Sequence, residues 1–390
     1  MPDEHQRLYN GKVERVGHMT GGKASQGSTG NKRGKKRKSK AGKARPKKDK
    51  PKAAKVVDPN AERAMLIINP VAGTGEAVEI WEDLQETLRH LGMDFDYQFT
   101  ERPGHAVEIA RTAAEKRYGT VAVVGGDGTI YEATNGLMSV DRESRPRLGV
   151  IPTGRGSDFC RTVNIPQDWQ TAASLLVSGR HRAIDVGWME YMTADGAETG
   201  YFANIAGLGF DGEVTEQANN MPEKLTRVVG GIGTYALSLL VTYARYREKD
   251  LVLHVDDDEY RVLATSVVIA NCRYFGGKMC VAPDAEPDDS RFDVVVIGAG
   301  FGNPVLECPR GEAPPAHSRI ERGVAKLKMV RNIPRIYKGT HLRDESIMVT
   351  RGSKVKVISN DRMVLQADGE VIGEGPFAAE VIPGALEIIA

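Results

Sequence analysis

Apolar residues in the first half of the chain form short, β-branched runs separated by amphipathic stretches. Such runs lie at Ala64–Ile68, Phe95–Phe99, Val121–Val124 and Leu148–Ile151. Between the first two runs, apolar residues repeat at helical spacing up to Gly92, a residue suited to a helix C-cap: Ile80, Trp81, Leu84, Leu88 and Leu91. Strands that alternate with helices predict a parallel sheet in a layered α/β domain.

The pattern changes after about residue 184, where apolar runs follow one another directly. This predicts antiparallel strands at Tyr201–Ile205, Leu251–Val255, Arg261–Ala270 and Phe292–Ile297. Near the end, the alternating run Lys354–Val357 is predicted to pair with Arg362–Ala367 across a turn at Asn360–Asp361. We therefore expect an α/β domain over residues 61–185. A mainly antiparallel β-sandwich or open barrel would follow over 186–390, and its last strands could return to the first domain.

Charge divides the chain unevenly. Residues 1–60 carry 18 Lys and Arg against 5 Asp and Glu, whereas residues 61–390 carry 35 against 47. Residues 31–55 hold 14 basic residues, one acid and no aromatic residue, so we expect a disordered basic tail over residues 1–60. Three interpretations remain open: a solvated tail, attraction to anionic membrane lipid, or attraction to nucleic acid. With no aromatic residue to stack on bases, sequence-specific recognition of RNA is the least favoured.

The remaining composition is that of a globular protein of two domains. Its longest apolar stretch, Gly230–Tyr243, is too short and too rich in glycine to cross a bilayer. The N-terminus lacks the pattern of a signal peptide, and the four cysteines form no CxxC pair. We therefore predict a cytoplasmic protein with reduced thiols.

The stretch Gly125–Thr129, of sequence GGDGT, indicates a ligand site. It follows a buried strand and precedes a predicted helix, so its glycines allow backbone N–H groups to approach a phosphate. Asp127 adds a carboxylate suited to Mg²⁺. The loops at Asn69–Gly75, Thr100 and Pro152–Asp158 also follow predicted parallel strands, and ligands bind at this edge of such sheets. The chain has no Walker A motif, HExxH helix or GxSxG elbow.

Seven ordered blocks together resemble the bacterial diacylglycerol kinase family of lipid kinases, relatives of sphingosine and ceramide kinases. The similarity runs from about Met65 to Ile389. The blocks are Asn69–Gly73, Gly125–Thr129 with Glu132, Asn135 and Gly136, Pro152–Phe159, Asn204–Asp211, Phe275–Pro283, Tyr337–Gly339 and Asp368–Glu370.

This resemblance implies an enzyme that uses ATP and Mg²⁺ to phosphorylate a lipid hydroxyl, with diacylglycerol or a related lipid as acceptor. It implies Asp368 as the base, with Asp127 and Glu370 placing Mg²⁺. The residues implied to bind ATP are Asn69, Pro70, Val71, Ala72, Gly73, Thr100, Gly125, Gly126, Asp127, Gly128, Thr129, Glu132, Gly154 and Arg155. Relatives often pair through the β-rich domain, so a homodimer is compatible with the resemblance.

The resemblance also implies a second, structural Mg²⁺. Its ligands would be the Asp289 carboxylate and main-chain oxygens of Glu286 and Arg291. The family's usual glycine after this aspartate is Ser290 here, and another glycine of the family pattern is Lys278. A solvated acidic loop is the alternative interpretation of residues 285–292.

Two other functions compete with a lipid kinase. NAD kinase shares the GGDGT strategy and a similar two-domain layout, but the Asp368–Glu370 and Phe275–Pro283 blocks argue against it. The second is a nucleic-acid-associated protein acting through its basic tail. The acidic remainder of the chain argues against broad binding to nucleic acid. We therefore predict a lipid kinase that associates peripherally with anionic membrane surfaces through residues 31–55.

Overall fold

A four-stranded parallel sheet forms the first part of the fold. The computed structural model describes residues 62–153, 157–221, 237–238, 241–243, 245–298, 303–306 and 333–390, so the predicted basic tail lies outside the described residues. The parallel strands stand in the order β4–β3–β1–β2. Their bounds are β1 Ala64–Ile68, β2 Phe95–Phe99, β3 Thr120–Gly125 and β4 Arg147–Pro152.

Six helices of the described residues accompany this sheet. They are α1 Glu76–Glu79, α2 Trp81–His90, α3 His105–Glu115, α4 Asp127–Met138, α5 Asp158–Val163 and α6 Trp169–Ser178, with 3-10 turns at Ala72–Thr74 and Arg142–Ser144. Helix α2 buries Trp81, Leu84 and Leu88, as its predicted apolar stripe requires, while Leu91 lies at its end and is exposed. Gly92 follows with φ +80°, the left-handed conformation that ends many helices.

The second part of the fold is antiparallel. Its elements are β5 His181–Thr193, β6 Gly196–Phe202, β7 Ile205–Gly209, α7 Phe210–Asn219, β8 Lys249–Val255, β9 Asp258–Ala270, β10 Tyr274–Phe275, β11 Met279–Cys280, β12 Phe292–Gly298, a 3-10 turn His341–Arg343, β13 Ile347–Gly352, β14 Lys354–Ser359, β15 Val364–Ala367 and β16 Glu370–Ile389. Strands β13, β12, β9, β7, β15 and β16 lie side by side in that order, and a core dominated by Val, Leu, Ala and Phe packs against them.

Strand β16 connects the two parts. It pairs antiparallel with β15, β14 and β5 along most of its length. At its far end, Ile388 pairs in parallel with Leu148 of β4. Because hydrogen bonding is continuous through β16, 14 of the described strands form one sheet.

Two predicted strand features are wrong. Strand β14 does not pair with Arg362–Ala367 but with β8 and β16. Strand β15 instead pairs with β16 through a two-residue turn, Asp368–Gly369, in which both residues have positive φ, as a type I′ turn requires. The predicted strand Tyr201–Ile205 is interrupted at Ala203 and Asn204. Their N–H groups, like that of Ile205, donate to the Asp368 carboxylate.

Candidate active site

The carboxyl edge of the parallel sheet brings two predicted loops into direct contact. Strands β1 and β3 are paired, so the chain leaves both at the same edge, with Ile68 opposite Val124. Beyond that pair, Asn69 Nδ2 donates to Thr129 Oγ1 at 2.9 Å, and Asn69 Oδ1 accepts from Val71 N at 3.1 Å. Asn69 therefore fixes the shape of its own loop and ties it to Gly125–Thr129. Val71 is 78% exposed beside this contact, an unusual position for an apolar side chain.

Asp127 begins helix α4 and lies against the start of helix α5. Its Oδ2 accepts from Asp158 N and its Oδ1 from Phe159 N, each at 3.2 Å. Burial, together with the nearby charge of Asp158, raises the pKa of Asp127 to about 6, although these backbone hydrogen bonds oppose the shift. The result is a carboxylate that ionises near neutral pH at the edge where the resemblance implies phosphate binding.

Asp368 occupies the first position of the β15–β16 turn and is only 4% exposed. Its Oδ2 accepts from Ala203 N at 3.0 Å, and its Oδ1 accepts from Asn204 N at 3.0 Å and from Ile205 N at 2.9 Å. A carboxylate can accept about four hydrogen bonds. Three are donated by described residues, which leaves one acceptor position, on Oδ2, that no described residue uses. Burial raises the pKa of Asp368 to about 7 despite these bonds, and the charge of Asp127 contributes to the rise.

Glu370 follows the same turn and reaches the GGDGT loop. Glu370 as a whole residue is exposed, but its carboxylate lies against Gly128. A Cβ placed at Gly128 would overlap Glu370 Oε1. Burial of this carboxylate, together with the charge of Glu132, raises the pKa of Glu370. The turn therefore delivers Asp368 and Glu370 to the loop that carries Asp127, across more than 200 residues of sequence.

Glu132 supports a neighbouring loop. Its two carboxylate oxygens accept from Gly104 N at 2.8 Å and from Ala106 N at 3.0 Å, at the beginning of helix α3. The same loop starts at Thr100, whose N–H donates to Ile68 O at 2.8 Å. Both oxygens of Glu132 thus position the chain after β2. Gly154 and Arg155 lie outside the described residues.

Sequence reasoning assigned no role to two aspartates near the site, the buried Asp158 and the partly buried Asp211. Asp158 accepts from Gly277 N and Lys278 N, both at 2.8 Å, and so connects helix α5 to the β10–β11 turn. Asp211 Oδ2 accepts from Gln366 Nε2 at 3.2 Å, and burial raises the pKa of Asp211. Both residues stand at the start of a helix directly after a glycine-containing segment, a sequence signal that could have identified them.

The donor atoms fit one implied Mg²⁺ and not the other. Asp127 and Glu370 converge on the Gly125–Thr129 loop, and Mg²⁺ is commonly held by one or two carboxylates with phosphate oxygens and water. In the second implied set, Asp289 Oδ1 accepts from Arg291 N at 3.0 Å, Oδ2 is paired with Arg351, and Glu286 is exposed. That set does not fit a metal. Within the described ranges, no group of three Asp, Glu, His or Cys side chains could hold an ion by itself.

Comparison with known proteins identifies the domains of this chain. Residues 63–189 match the diacylglycerol kinase catalytic domain, and residues 204–306 and 320–390 match the YegS C-terminal, NAD kinase β sandwich-like domain. The chain belongs to the diacylglycerol kinase family. This membership makes it a lipid kinase, and it confirms the predicted fold class of an α/β domain followed by an antiparallel β-sandwich.

The relatives are distant but similar over most of their length. A diacylglycerol kinase of Bacillus subtilis (strain 168) is 27% identical over 316 residues, covering 81% of this chain and 92% of the relative. A diacylglycerol kinase of Staphylococcus saprophyticus is 24% identical over 315 residues, covering 81% and 91%. A crystal structure of a diacylglycerol kinase from Bacillus anthracis str. Sterne has the same fold, with a TM-score of 0.57 and 21% identity, covering 84% and 96%. No helix in the described ranges is both long enough and apolar enough to span a membrane.

Proposed function

We propose that this lipid kinase transfers the γ-phosphate of ATP, with Mg²⁺, to the hydroxyl group of diacylglycerol or a related lipid. The observation that carries the proposal is the Asp368 carboxylate. It is buried, has one unused acceptor position, and has a pKa of about 7. A general base works best when its pKa lies near the working pH.

Asp127 and Glu370 would hold Mg²⁺, which neutralises negative charge on the phosphates when it is bound. Backbone N–H groups at the start of α4 would face the phosphates, since a helix N-terminus favours anions. The loop contact between Asn69 and Thr129 would keep the Asn69–Gly73 and Gly125–Thr129 segments in place around ATP. The other implied ATP ligands, including Thr100, Glu132, Gly154 and Arg155, remain part of this proposal.

The reaction needs one proton acceptor and good positioning. Asp368 accepts the proton of the lipid hydroxyl while that oxygen bonds to the γ-phosphorus. The bond between the γ-phosphorus and the β–γ bridging oxygen breaks, and ADP leaves with the electron pair. The lipid hydroxyl would hydrogen-bond to the unused position on Asp368 Oδ2, because the other three positions are taken by backbone N–H groups.

The test is transfer of radiolabelled γ-phosphate from ATP into lipids in mixed micelles. The acceptors are diacylglycerol, a sphingoid base, ceramide, phosphatidylglycerol and NAD⁺. We expect label in a lipid, and we expect Asp368→Asn to reduce it by about 10²- to 10⁴-fold. Asp361→Asn is the matched control, because Asp361 is an exposed aspartate just before β15. Label in NAD⁺ alone, or equal activity in Asp368→Asn, would contradict the proposal.

We also propose that residues 31–55 bring the enzyme to anionic membranes. The rest of the chain is acidic, so an anionic surface would repel it without a basic segment. Deletion of residues 1–60 should reduce binding to liposomes that contain phosphatidylserine, most clearly at low salt. Binding that does not change on deletion would contradict this part of the proposal.

A further inference from the structure

A guanidinium stands at the second metal site that the family resemblance implies. Arg351 lies on β13 directly opposite Asp293 of β12 in the strand register. Its Nε contacts Asp293 Oδ2 at 3.2 Å, and its Nη2 is paired with Asp289 Oδ2 in the loop before β12. One side chain therefore bridges two carboxylates on neighbouring segments. Asp293 is only 3% exposed, so its charge requires a partner.

The loop that carries Asp289 is held by protein groups on its other side as well. Asp185 of β5, which is 2% exposed, accepts from Ser290 N at 2.6 Å and from Gly384 N of β16 at 2.7 Å. Arg182 Nη1 contacts Asp288 Oδ2 at 3.0 Å. The contacts at Ser290 and Asp288 attach the loop to β5, and Arg351 attaches it to β13, so its position is fixed from two directions.

The backbone at Ser290 keeps the conformation that the family's glycine permits. Its φ is +63°, in the left-handed region that most side chains avoid. The loop has therefore kept its tight bend while its acidic side chain faces Arg351. The bend and the carboxylate are those expected of a cation site, but the positive charge beside Asp289 is the guanidinium of Arg351.

We propose that Arg351 replaces the structural divalent cation of this loop and makes residues 284–291 independent of metal. An arginine suits this role, because its charge is permanent and its planar group presents separate donors to two carboxylates. This inference does not depend on which lipid is phosphorylated. It also leaves the Mg²⁺ proposed at Asp127 and Glu370 unaffected.

The test measures thermal stability of the full chain in EDTA, in Mg²⁺ and in Ca²⁺, without nucleotide. We expect the midpoint temperature of wild-type unfolding to be the same in all three solutions within about 1 °C, which is a small shift for a domain of this size. Arg351→Met should lower the midpoint in EDTA, and Mg²⁺ or Ca²⁺ should restore part of the loss by filling the vacated position. Arg182→Met is the matched control, since it removes an ion pair from the same loop and should acquire no dependence on metal.

Two results would overturn the inference. The first is a wild-type midpoint that falls in EDTA and recovers with Mg²⁺, accompanied by bound metal in elemental analysis. The second is an Arg351→Met midpoint that is the same with and without metal. If Arg351→Met does not fold, Asp289→Asn replaces it. Its midpoint should fall equally in EDTA and in Mg²⁺, whereas a fall confined to Mg²⁺ would show that Asp289 binds the metal.

Discussion

Two aspartates of the candidate active site, Asp127 and Asp368, combine burial with negative charge. Asp127 and Asp368 have folded-state pKa values of about 6 and about 7, against 3.8 for an ordinary aspartate. At pH values between the ordinary pKa and the raised pKa of each aspartate, that carboxyl group is protonated more often in the folded chain than in the unfolded chain. The contribution of these two groups to the free energy of unfolding must therefore fall as the pH rises from about 4 to about 7. Such a cost is typical of functional sites, where stability is lost to keep a group reactive.

Neutralising Asp127 should stabilise the fold at high pH. We expect Asp127→Asn to raise the free energy of unfolding at about pH 8 by about 2 kcal/mol, because a buried charge disappears. At about pH 5 the gain should shrink, since the wild-type carboxyl is then protonated. Urea unfolding at both pH values measures the difference. The exposed N-cap Asp168, whose pKa is lowered, should show the opposite trend when changed to Asn.

The pH profile of catalysis should report Asp368. We expect kcat/KM to rise with pH, with a midpoint near pH 7, and then to level off, because only the ionised carboxylate can accept the hydroxyl proton. Glu370→Gln should keep this rise at a lower overall rate. A wild-type profile that is flat between about pH 6 and pH 8 would exclude Asp368 as a base that titrates in this range.

Contact between Gly128 and Glu370 can be tested by a double-mutant cycle. A Cβ at Gly128 would overlap Glu370 Oε1, so Gly128→Ala should displace that carboxylate and reduce kcat by about 10-fold or more. Glu370→Gln should also reduce kcat. The double variant should be little worse than either single variant, because both changes affect one interaction. Multiplicative losses would show that the two residues act independently.

Secondary-structure elements were predictable from the sequence wherever a local pattern determines them. The predicted bounds of β1 and β2 are those of the structure, because a short apolar run between polar turns specifies a strand. The pairing of β14 and the break at Ala203 were not predictable. The first depends on competition between strands distant in sequence, and the second on a carboxylate about 165 residues further along the chain.

Lys278 in the β10–β11 turn is expected to be strained. It occupies a position where the family pattern has glycine, and its φ is +76°. Lys278→Gly should therefore raise the free energy of unfolding by about 0.5 to 1 kcal/mol, once the larger freedom of glycine in the unfolded chain is subtracted. Urea unfolding measures this change. Gly277→Ala, at φ +83°, should destabilise the same turn, and a stabilising effect there would contradict the argument.

At the scale of the whole molecule, β16 joins the two parts into one sheet. Ile388 is fully buried and pairs with Leu148, while the beginning of the same strand carries Glu370. The sequence indicated an α/β part and a β-rich part. It could not fix which strand joins them, because a single apolar run near the end fits several neighbours. The predicted boundary between the two domains, at residues 185 and 186, therefore remains a proposal, because one sheet runs through both domains.

Shortening Ile388 should weaken both parts together. We expect Ile388→Ala to cost about 2 to 5 kcal/mol, the usual range for such a buried truncation. Tryptophan fluorescence can follow the parallel part through Trp81 and Trp169, and the β-rich part through Trp188. Ile388→Ala can be made in two backgrounds, one that keeps only Trp81 and Trp169 and one that keeps only Trp188. Both should show the same lowered midpoint of unfolding. A lowered midpoint in the β-rich part alone would mean that β16 does not couple the two.

The position of β16 in the chain has a consequence for biosynthesis. A ribosome makes the chain from its N-terminus. Strand β3, which leads into the GGDGT loop, therefore emerges about 245 residues before Asp368. Until residue 388 has emerged, β4 can pair with β3 but not with β16, and until Glu370 has emerged the Asp368–Glu370 turn cannot reach the GGDGT loop. On the proposed mechanism, a nascent chain that could already bind nucleotide would still be unable to transfer phosphate until Asp368 and Glu370 are in place. Catalytic competence would therefore follow the synthesis of both parts of the fold.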